Sequence, residues 1–214
     1  GKTVTLQIMA QGFSDAGVPV FCADVKGDLS GICIAGTPNE KLLARAKTIG
    51  LDLQSAAAPT VFWDLFGEKG HPVRATISEV GPLLLARMLE LSDVQTDVLS
   101  VVFHVADKEG LLLLDLADLR ALLTHVAENE AEIGKTYGHV APASVAAIQR
   151  SLLALERQGA GAFFGEPALR LEDMIRTGLD GRGQVNVLAA DKLMASPRLY
   201  AAFLLWLLSE LFEQ

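Results

Sequence analysis

Residues 1–28 read GKTVTLQIMAQGFSDAGVPVFCADVKGD and contain, in immediate succession, a glycine-lysine-threonine tripeptide, a helical pattern and a short apolar run. The helix is predicted to end near Asp15. Its expected apolar side is formed by four side chains, Val4, Leu6, Ile8 and Met9. The run at 18–25 (VPVFCADV) is apolar on both faces, which is typical of a strand buried in a parallel sheet. A helix that leads directly into such a strand favours an α/β fold.

Gly1, Lys2 and Thr3 match the end of the phosphate-binding loop GxxxxGK[ST]. In that loop the glycine lets backbone N–H groups approach the phosphates, the lysine bridges the β- and γ-phosphates, and the threonine hydroxyl ligates Mg²⁺. The N-terminus of the helix that follows would favour the same anion. A tripeptide this short also arises by chance, so the residues alone leave a phosphate loop and a coincidence both open.

Polar side chains follow the predicted strands. Asp24, Lys26 and Asp28 come at the end of the first strand, and ligands bind at the carboxyl ends of parallel strands. This predicts that Asp24 and Lys26 share a phosphate-binding edge with Lys2, the alternative being a polar turn that simply ends the strand. Asp191 follows another apolar run and imitates a Walker B carboxylate, but two alanines separate it from the strongest part of that run, so we expect no such role.

The hydrophobic pattern divides the rest of the chain. Two further buried strands are predicted at 60–66 and 184–191. The long segment between them shows helix after helix, with capping patterns such as Ser92 with Gln95. Three of the helices have apolar stripes that are expected to be buried: Val94, Val98, Val101 and Val105; Leu116, Leu119, Leu122, Leu123 and Val126; and Val145, Ile148, Leu152 and Leu155. The sequence therefore predicts three regions: a first part of the α/β core at 1–71, a helical insertion at 72–177 and a return to the core at 178–214.

The 214-residue chain carries 26 acidic and 18 basic side chains, a formal charge of −8, and is 50% hydrophobic. This composition excludes a disordered or collagen-like chain, and two cysteines cannot build a disulfide framework. The acidic balance argues against a broad basic surface for nucleic acid. Because the most apolar run, 199–208, is too short to cross a membrane and no signal peptide is recognisable, we expect a soluble, cytoplasmic protein without membrane association.

Four long stretches of the chain together resemble one known family, namely residues 1–31, 59–95, 147–169 and 183–214. Two of them contain segments much longer than any general motif, FWDLFGEKGHPVR at 62–74 and SPRLYAAFLLWLLSELFEQ at 196–214. The sequence resembles the bacterial HerA-like helicase C-terminal family, a group of P-loop ATPases allied to the HerA and FtsK DNA-pumping motors. The resemblance covers essentially the whole chain.

The resemblance implies a RecA-like P-loop core with a parallel sheet and a large all-helical insertion. It also implies hydrolysis of ATP with Mg²⁺, a ring-shaped homo-oligomer that is often a hexamer, and action on DNA as a translocase or helicase. In this family Gly1, Lys2 and Thr3 would complete the Walker A loop, with Lys2 catalytic and Thr3 on the metal. Asp24 and Lys26, within ADVKGDLSG, would face the nucleotide.

The chain departs from the family pattern at both ends. The earlier Walker A glycines would precede Gly1, and the acidic Walker B strand would follow Gln214. We therefore expect an internal fragment of a longer protein that, by itself, binds nucleotide weakly and does not hydrolyse it. A hypothesis from another class stays open: an ATP-dependent switch or scaffold that binds nucleotide without moving nucleic acid, which the acidic composition favours.

Overall fold

The computed structural model describes residues 2–212. Four strands and eight α-helices follow one another in that range: α1 (Lys2–Asp15), β1 (Val20–Asp24), α2 (Glu40–Thr48), β2 (Thr60–Asp64), β3 (His71–Pro72), α3 (Ile77–Met88), α4 (Asp93–Glu109), α5 (Leu116–Glu128), α6 (Glu130–Tyr137), α7 (Pro142–Arg157), β4 (Val185–Ala189) and α8 (Pro197–Phe212). Short 3₁₀ helices lie at Ser30–Cys33, Ala160–Ala162, Leu171–Asp173 and Leu193–Ala195.

The chain forms two compact units. The sheet unit contains the chain up to Asp64, together with Lys69–His71 and Arg170–Asp191. The helical unit contains Leu65–Glu68, Pro72–Leu169 and the chain from Lys192 onward. The division of the chain at residues 72 and 178 stays a prediction.

The sheet has the strand order β1-β4-β2-β3. Strand β4 is parallel to both neighbours, with Val185 beside Val20 of β1 on one side and beside Thr60 of β2 on the other. Four of its five residues are buried, because a central parallel strand is covered on both faces. The predicted α/β class with a parallel sheet is confirmed, and the carboxyl ends of β1, β4 and β2 meet at one edge.

A buried polar side chain sits in the middle of this sheet. Asn186 of β4 is 1% exposed, and its Oδ1 accepts hydrogen bonds from Trp63 Nε1 at 2.9 Å and Gln184 Nε2 at 2.7 Å. Its Nδ2 donates to the carbonyls of Val20 at 3.1 Å and Met174 at 2.6 Å. Each polar atom of the amide is thus satisfied, as burial requires.

Helix α1 packs in a way that the sequence pattern did not predict. The expected apolar side chains Val4, Leu6, Ile8 and Met9 are each more than half exposed. The buried positions of α1 are instead Ala10 and Ser14, and Ser14 Oγ donates to the Gly183 carbonyl at 2.6 Å. Small side chains four residues apart let the helix backbone approach the chain beside it, so the larger apolar residues point away.

Local signals fix the helix ends of the helical unit. Thr76 with Glu79 forms a capping box at the start of α3, and Ser92 with Gln95 forms the predicted one at the start of α4. The Asp115 carboxylate accepts hydrogen bonds from the first turn of α5. These capping side chains satisfy N–H groups that a helix cannot satisfy internally.

The core of the helical unit follows most of the predicted stripes. The stripes of α5 and α7 are buried as expected: Leu116, Leu119, Leu122, Leu123, Val126, Val145, Ile148, Leu152 and Leu155. The α4 stripe was wrong at Val94, which is 63% exposed, although Val98 and Val105 are buried. The buried face of α4 centres on Leu99 and Val102, and Val94 lies to one side of it in the first turn.

None of the helices described within residues 2–212 is long and apolar enough to span a membrane.

Candidate functional site

A cleft of about 330 Å³ opens at the carboxyl edge of the sheet. Its lining combines apolar side chains from the strands with polar and charged groups from the loops that follow them: Asp24, Lys26, Gly27, Ser30, Phe62, Lys69, Val187, Ala189 and Asp191. The position agrees with the rule that open parallel sheets bind ligands beyond the carboxyl ends of their strands.

The Asp24 carboxylate shapes the loop after β1. Asp24 is 5% exposed, and its Oδ1 accepts the backbone N–H groups of Lys26 at 3.2 Å and Gly27 at 2.8 Å. Its Oδ2 accepts the N–H of Leu29 at 3.0 Å. The turn that ends β1 is therefore built around this carboxylate. A direct nucleotide contact by Asp24 or Lys26 stays a prediction.

The first turn of α1 lies at the same edge as the end of β1. Thr3 Oγ1 donates a hydrogen bond to Asp28 Oδ2 at 2.8 Å, and Gln7 Nε2 donates to the Asp28 carbonyl at 3.0 Å. Lys2 begins the helix and is exposed, whereas Gly1 lies outside the described residues. The expectation that the start of α1 and the end of β1 share one edge of the sheet is confirmed. Phosphate binding by Gly1, Lys2 and Thr3 stays a prediction.

A second buried carboxylate anchors Lys69. Asp64 ends β2, is 3% exposed, and its Oδ2 accepts the backbone N–H of Lys69 at 2.9 Å. The next residue, Gly70, passes so close to β2 that a Cβ there would lie 2.5 Å from the carbonyl carbon and oxygen of Phe62. The position of Lys69 at the cleft therefore depends on one carboxylate and one glycine.

The ammonium of Lys69 forms an ion pair with the carboxylate of Asp191. Nζ lies 2.5 Å from Oδ2, and the two side chains are 55% and 38% exposed. Asp191 follows β4, so the pair brings together the ends of two neighbouring strands. The apolar run before Asp191 thus ends in a cleft-lining carboxylate that contacts a lysine.

The thiol of Cys22 lies beside this edge, on β1. Burial raises the pKa of Cys22 above the ordinary value, and the nearby negative charge of Asp24 raises the pKa further. Cys22 and Cys33 are both free and half-buried. A protonated thiol at neutral pH is a weak nucleophile, so Cys22 is not suited to covalent catalysis.

Sequence reasoning missed Lys69 as a site residue. It also missed that Asp64 anchors the loop that carries Lys69. A signal was available in Gly67-Glu68-Lys69-Gly70, since a cation between glycines directly after a buried strand is a common setting for anion binding. The partner Asp191 is 122 residues from Lys69 in the chain, and no local pattern links the two.

The helicase HerA-like C-terminal family model matches residues 1–214, the whole chain. The chain belongs to this family. A search among curated proteins found no significant match. Membership in the HerA-like family indicates a HerA-type ATPase motor and implies an ATPase in the full-length protein. HerA-like ATPases generally use ATP and Mg²⁺.

The side chains at the carboxyl edge of the sheet are chemically suited to bind ATP and Mg²⁺. Lys26 and Lys69 supply positive charge in the cleft, and the start of α1 supplies backbone N–H groups for a phosphate. Thr3 and Asp28 bring together two oxygens of the kind that Mg²⁺ prefers. Residues 2–212 contain no cluster of three or more His, Cys, Asp or Glu able to hold a metal.

Proposed function

We propose that the full-length protein is a RecA-like P-loop ATPase that couples ATP hydrolysis to work on DNA, as a translocase or helicase of the HerA/FtsK type. The same proposal includes assembly as a homo-oligomeric ring, with a hexamer as the expected form. Family membership supports the ATPase part, and the remaining parts extend it to this chain.

One observation carries the proposal. Lys2 and Thr3 of the glycine-lysine-threonine tripeptide open a helix whose first turn is hydrogen-bonded, through Thr3 and Asp28, to the loop after β1. A phosphate loop requires this arrangement, in which a helix N-terminus and the carboxyl edge of a parallel sheet face the same anion.

Each residue at the edge has a distinct role in this proposal. Lys2 places its ammonium on the β- and γ-phosphates, where negative charge develops during hydrolysis. Thr3 offers its hydroxyl to the metal, and Asp24 holds the Lys26–Leu29 backbone in the shape that faces the phosphates. Thr3 would hold Mg²⁺ at this edge, and the bound metal would supply positive charge that offsets the charge of the phosphates.

A second function is favoured by the distribution of charge. The excess of acidic over basic residues lies almost entirely in the helical unit, whereas the sheet unit is nearly neutral. Such a helical unit would repel the DNA backbone. An ATP-dependent switch or scaffold that binds nucleotide without moving nucleic acid is therefore the alternative.

ATP hydrolysis by the full-length protein, with and without duplex DNA, tests the proposal. For Lys2→Ala we expect turnover to fall about a hundredfold or more, since removing one transition-state electrostatic contact has effects of that order. Lys41→Ala, which removes an exposed lysine of α2, is the matched control and should leave turnover unchanged. Turnover that DNA does not stimulate would favour the switch. Normal turnover in Lys2→Ala would refute the phosphate loop.

A further inference from the structure

Lys69 has a position at the cleft that is set by the backbone. Its N–H is held by the buried Asp64 carboxylate at 2.9 Å, directly after β2. Gly70 then runs against the backbone of Phe62 and Trp63, where a Cβ would lie within 2.5 to 2.8 Å of their atoms. Because the backbone is constrained at Lys69 and again at Gly70, the Lys69 side chain starts from a fixed position at the cleft.

The ion pair of Lys69 with Asp191 is of a kind that exchanges partners readily. Both side chains are more than a third exposed, and ion pairs in such surroundings contribute little to stability because water screens them. Both residues also line the cleft, beside the carboxyl ends of β2 and β4. A polyanion entering the cleft would attract the ammonium more strongly than a single carboxylate does.

We propose that Lys69 contacts a phosphate of the bound nucleotide and that Asp191 is its partner in the nucleotide-free protein. This inference rests on the proposed nucleotide site. Binding then exchanges the Lys69–Asp191 ion pair for a Lys69–phosphate ion pair. Asp191 competes with the nucleotide for the same ammonium, so the two members of the pair have opposite effects on affinity.

The opposite effects of the two substitutions on nucleotide affinity distinguish phosphate binding by Lys69 from a purely structural role of the ion pair. If the ion pair only supported the fold, Lys69→Ala and Asp191→Asn would break the same contact and shift nucleotide affinity in the same direction. If Lys69 binds phosphate, Lys69→Ala weakens binding, whereas Asp191→Asn removes a competing negative charge and strengthens it. Lys69→Arg keeps the positive charge and should retain most of the affinity.

The neighbouring pair Lys192–Glu68 provides a matched control. It is also an exposed lysine–carboxylate pair, and its members adjoin Asp191 and Lys69 in the sequence. Neither member is among the residues that line the cleft. Lys192→Ala and Glu68→Gln therefore make the same chemical changes without altering the proposed contact.

Titration of the full-length protein with fluorescent mant-ATP, once with Mg²⁺ and once with EDTA, tests the inference. For Lys69→Ala we expect a Kd about tenfold higher, and for Asp191→Asn a Kd about threefold lower, in both conditions. The Lys192→Ala and Glu68→Gln variants should stay within about twofold of the wild type. A cooperative thermal unfolding transition, measured for every variant, is the check that each variant is folded.

Three results would overturn the inference. A normal Kd in Lys69→Ala, with binding lost in Lys2→Ala, refutes the role of Lys69 and leaves the proposed function standing. Weaker binding in Asp191→Asn only with Mg²⁺ would show that Asp191 acts on the metal instead. No binding of mant-ATP by the wild type would refute both the inference and the proposed function.

Discussion

The Thr3 hydroxyl lies 2.8 Å from the Asp28 carboxylate, to which it donates a hydrogen bond, although 25 residues separate them in the chain. The bond ties the first turn of α1 to the loop that follows β1. An oxygen that a phosphate loop uses for its metal is thus already held beside a carboxylate.

Thr3→Val should raise the Mg²⁺ concentration that the full-length protein needs for half-maximal ATPase activity, by about tenfold. Valine has nearly the shape of threonine but lacks the hydroxyl, so the change removes an oxygen with little effect on packing. Thr3→Ser keeps the hydroxyl and is the control that should behave like wild type. An unchanged Mg²⁺ requirement in Thr3→Val would show that this hydroxyl does not act on the metal.

Asp24→Ala should lower the free energy of unfolding by about 3 kcal/mol, because three backbone N–H groups lose a charged acceptor. Urea or guanidinium unfolding, followed by circular dichroism, measures this change. Asp52→Ala is the matched control, since Asp52 is exposed and its carboxylate accepts a bond from Gln54 at 3.3 Å. If the two variants unfold at the same midpoint, Asp24 does not hold its loop together.

Gly70→Ala should destabilise the protein by about 2 kcal/mol, because the added methyl group meets backbone that cannot move aside as a side chain would. Gly12→Ala is the opposite control. Gly12 lies inside α1 with nothing within 4 Å of the added Cβ, so alanine there should stabilise the protein by about 0.5–1 kcal/mol. Changes of the same sign in both variants would contradict the close approach of Gly70 to β2.

The protein should lose stability at alkaline pH through Cys22. Since the pKa of this thiol is raised in the folded protein, the unfolded chain releases the proton first as pH increases. The contribution is complete below the ordinary thiol pKa near 9.0 and is lost as pH rises through the higher folded value. Unfolding midpoints compared between wild type and Cys22→Ala over this range measure it. Identical pH profiles would exclude the effect.

Prediction from sequence succeeded where the signal is local. The runs around Val20–Asp24 and Val185–Ala189 are apolar on both faces, which is typical of strands in a parallel sheet. The Ser92–Gln95 capping box was equally readable, because its two members are three residues apart.

Prediction failed where the answer depends on what packs where. The helical period of α1 predicts an apolar side that includes Val4 and Ile8. It does not show that the helix is buried at Ala10 and Ser14 instead. The pairing of Lys69 with Asp191 depends on β2 lying next to β4. Neither strand's own sequence predicts which strand lies beside it. A sequence pattern identifies the apolar face of a helix or strand. Tertiary packing decides which face is buried and which element lies against it.

The strand order has a consequence for synthesis of the chain. Strand β1 pairs with β4, and β2 pairs with the other edge of β4, so two strands are joined by one that is made only after α3–α7. Asn186 completes the junction by bonding the Val20 carbonyl and the Trp63 indole at once. Helices α3–α7 can pack through contacts close in sequence as they emerge, whereas β1 waits until Val185–Ala189 has left the ribosome. We therefore expect β1 and β2 to join one sheet only after β4 has been made.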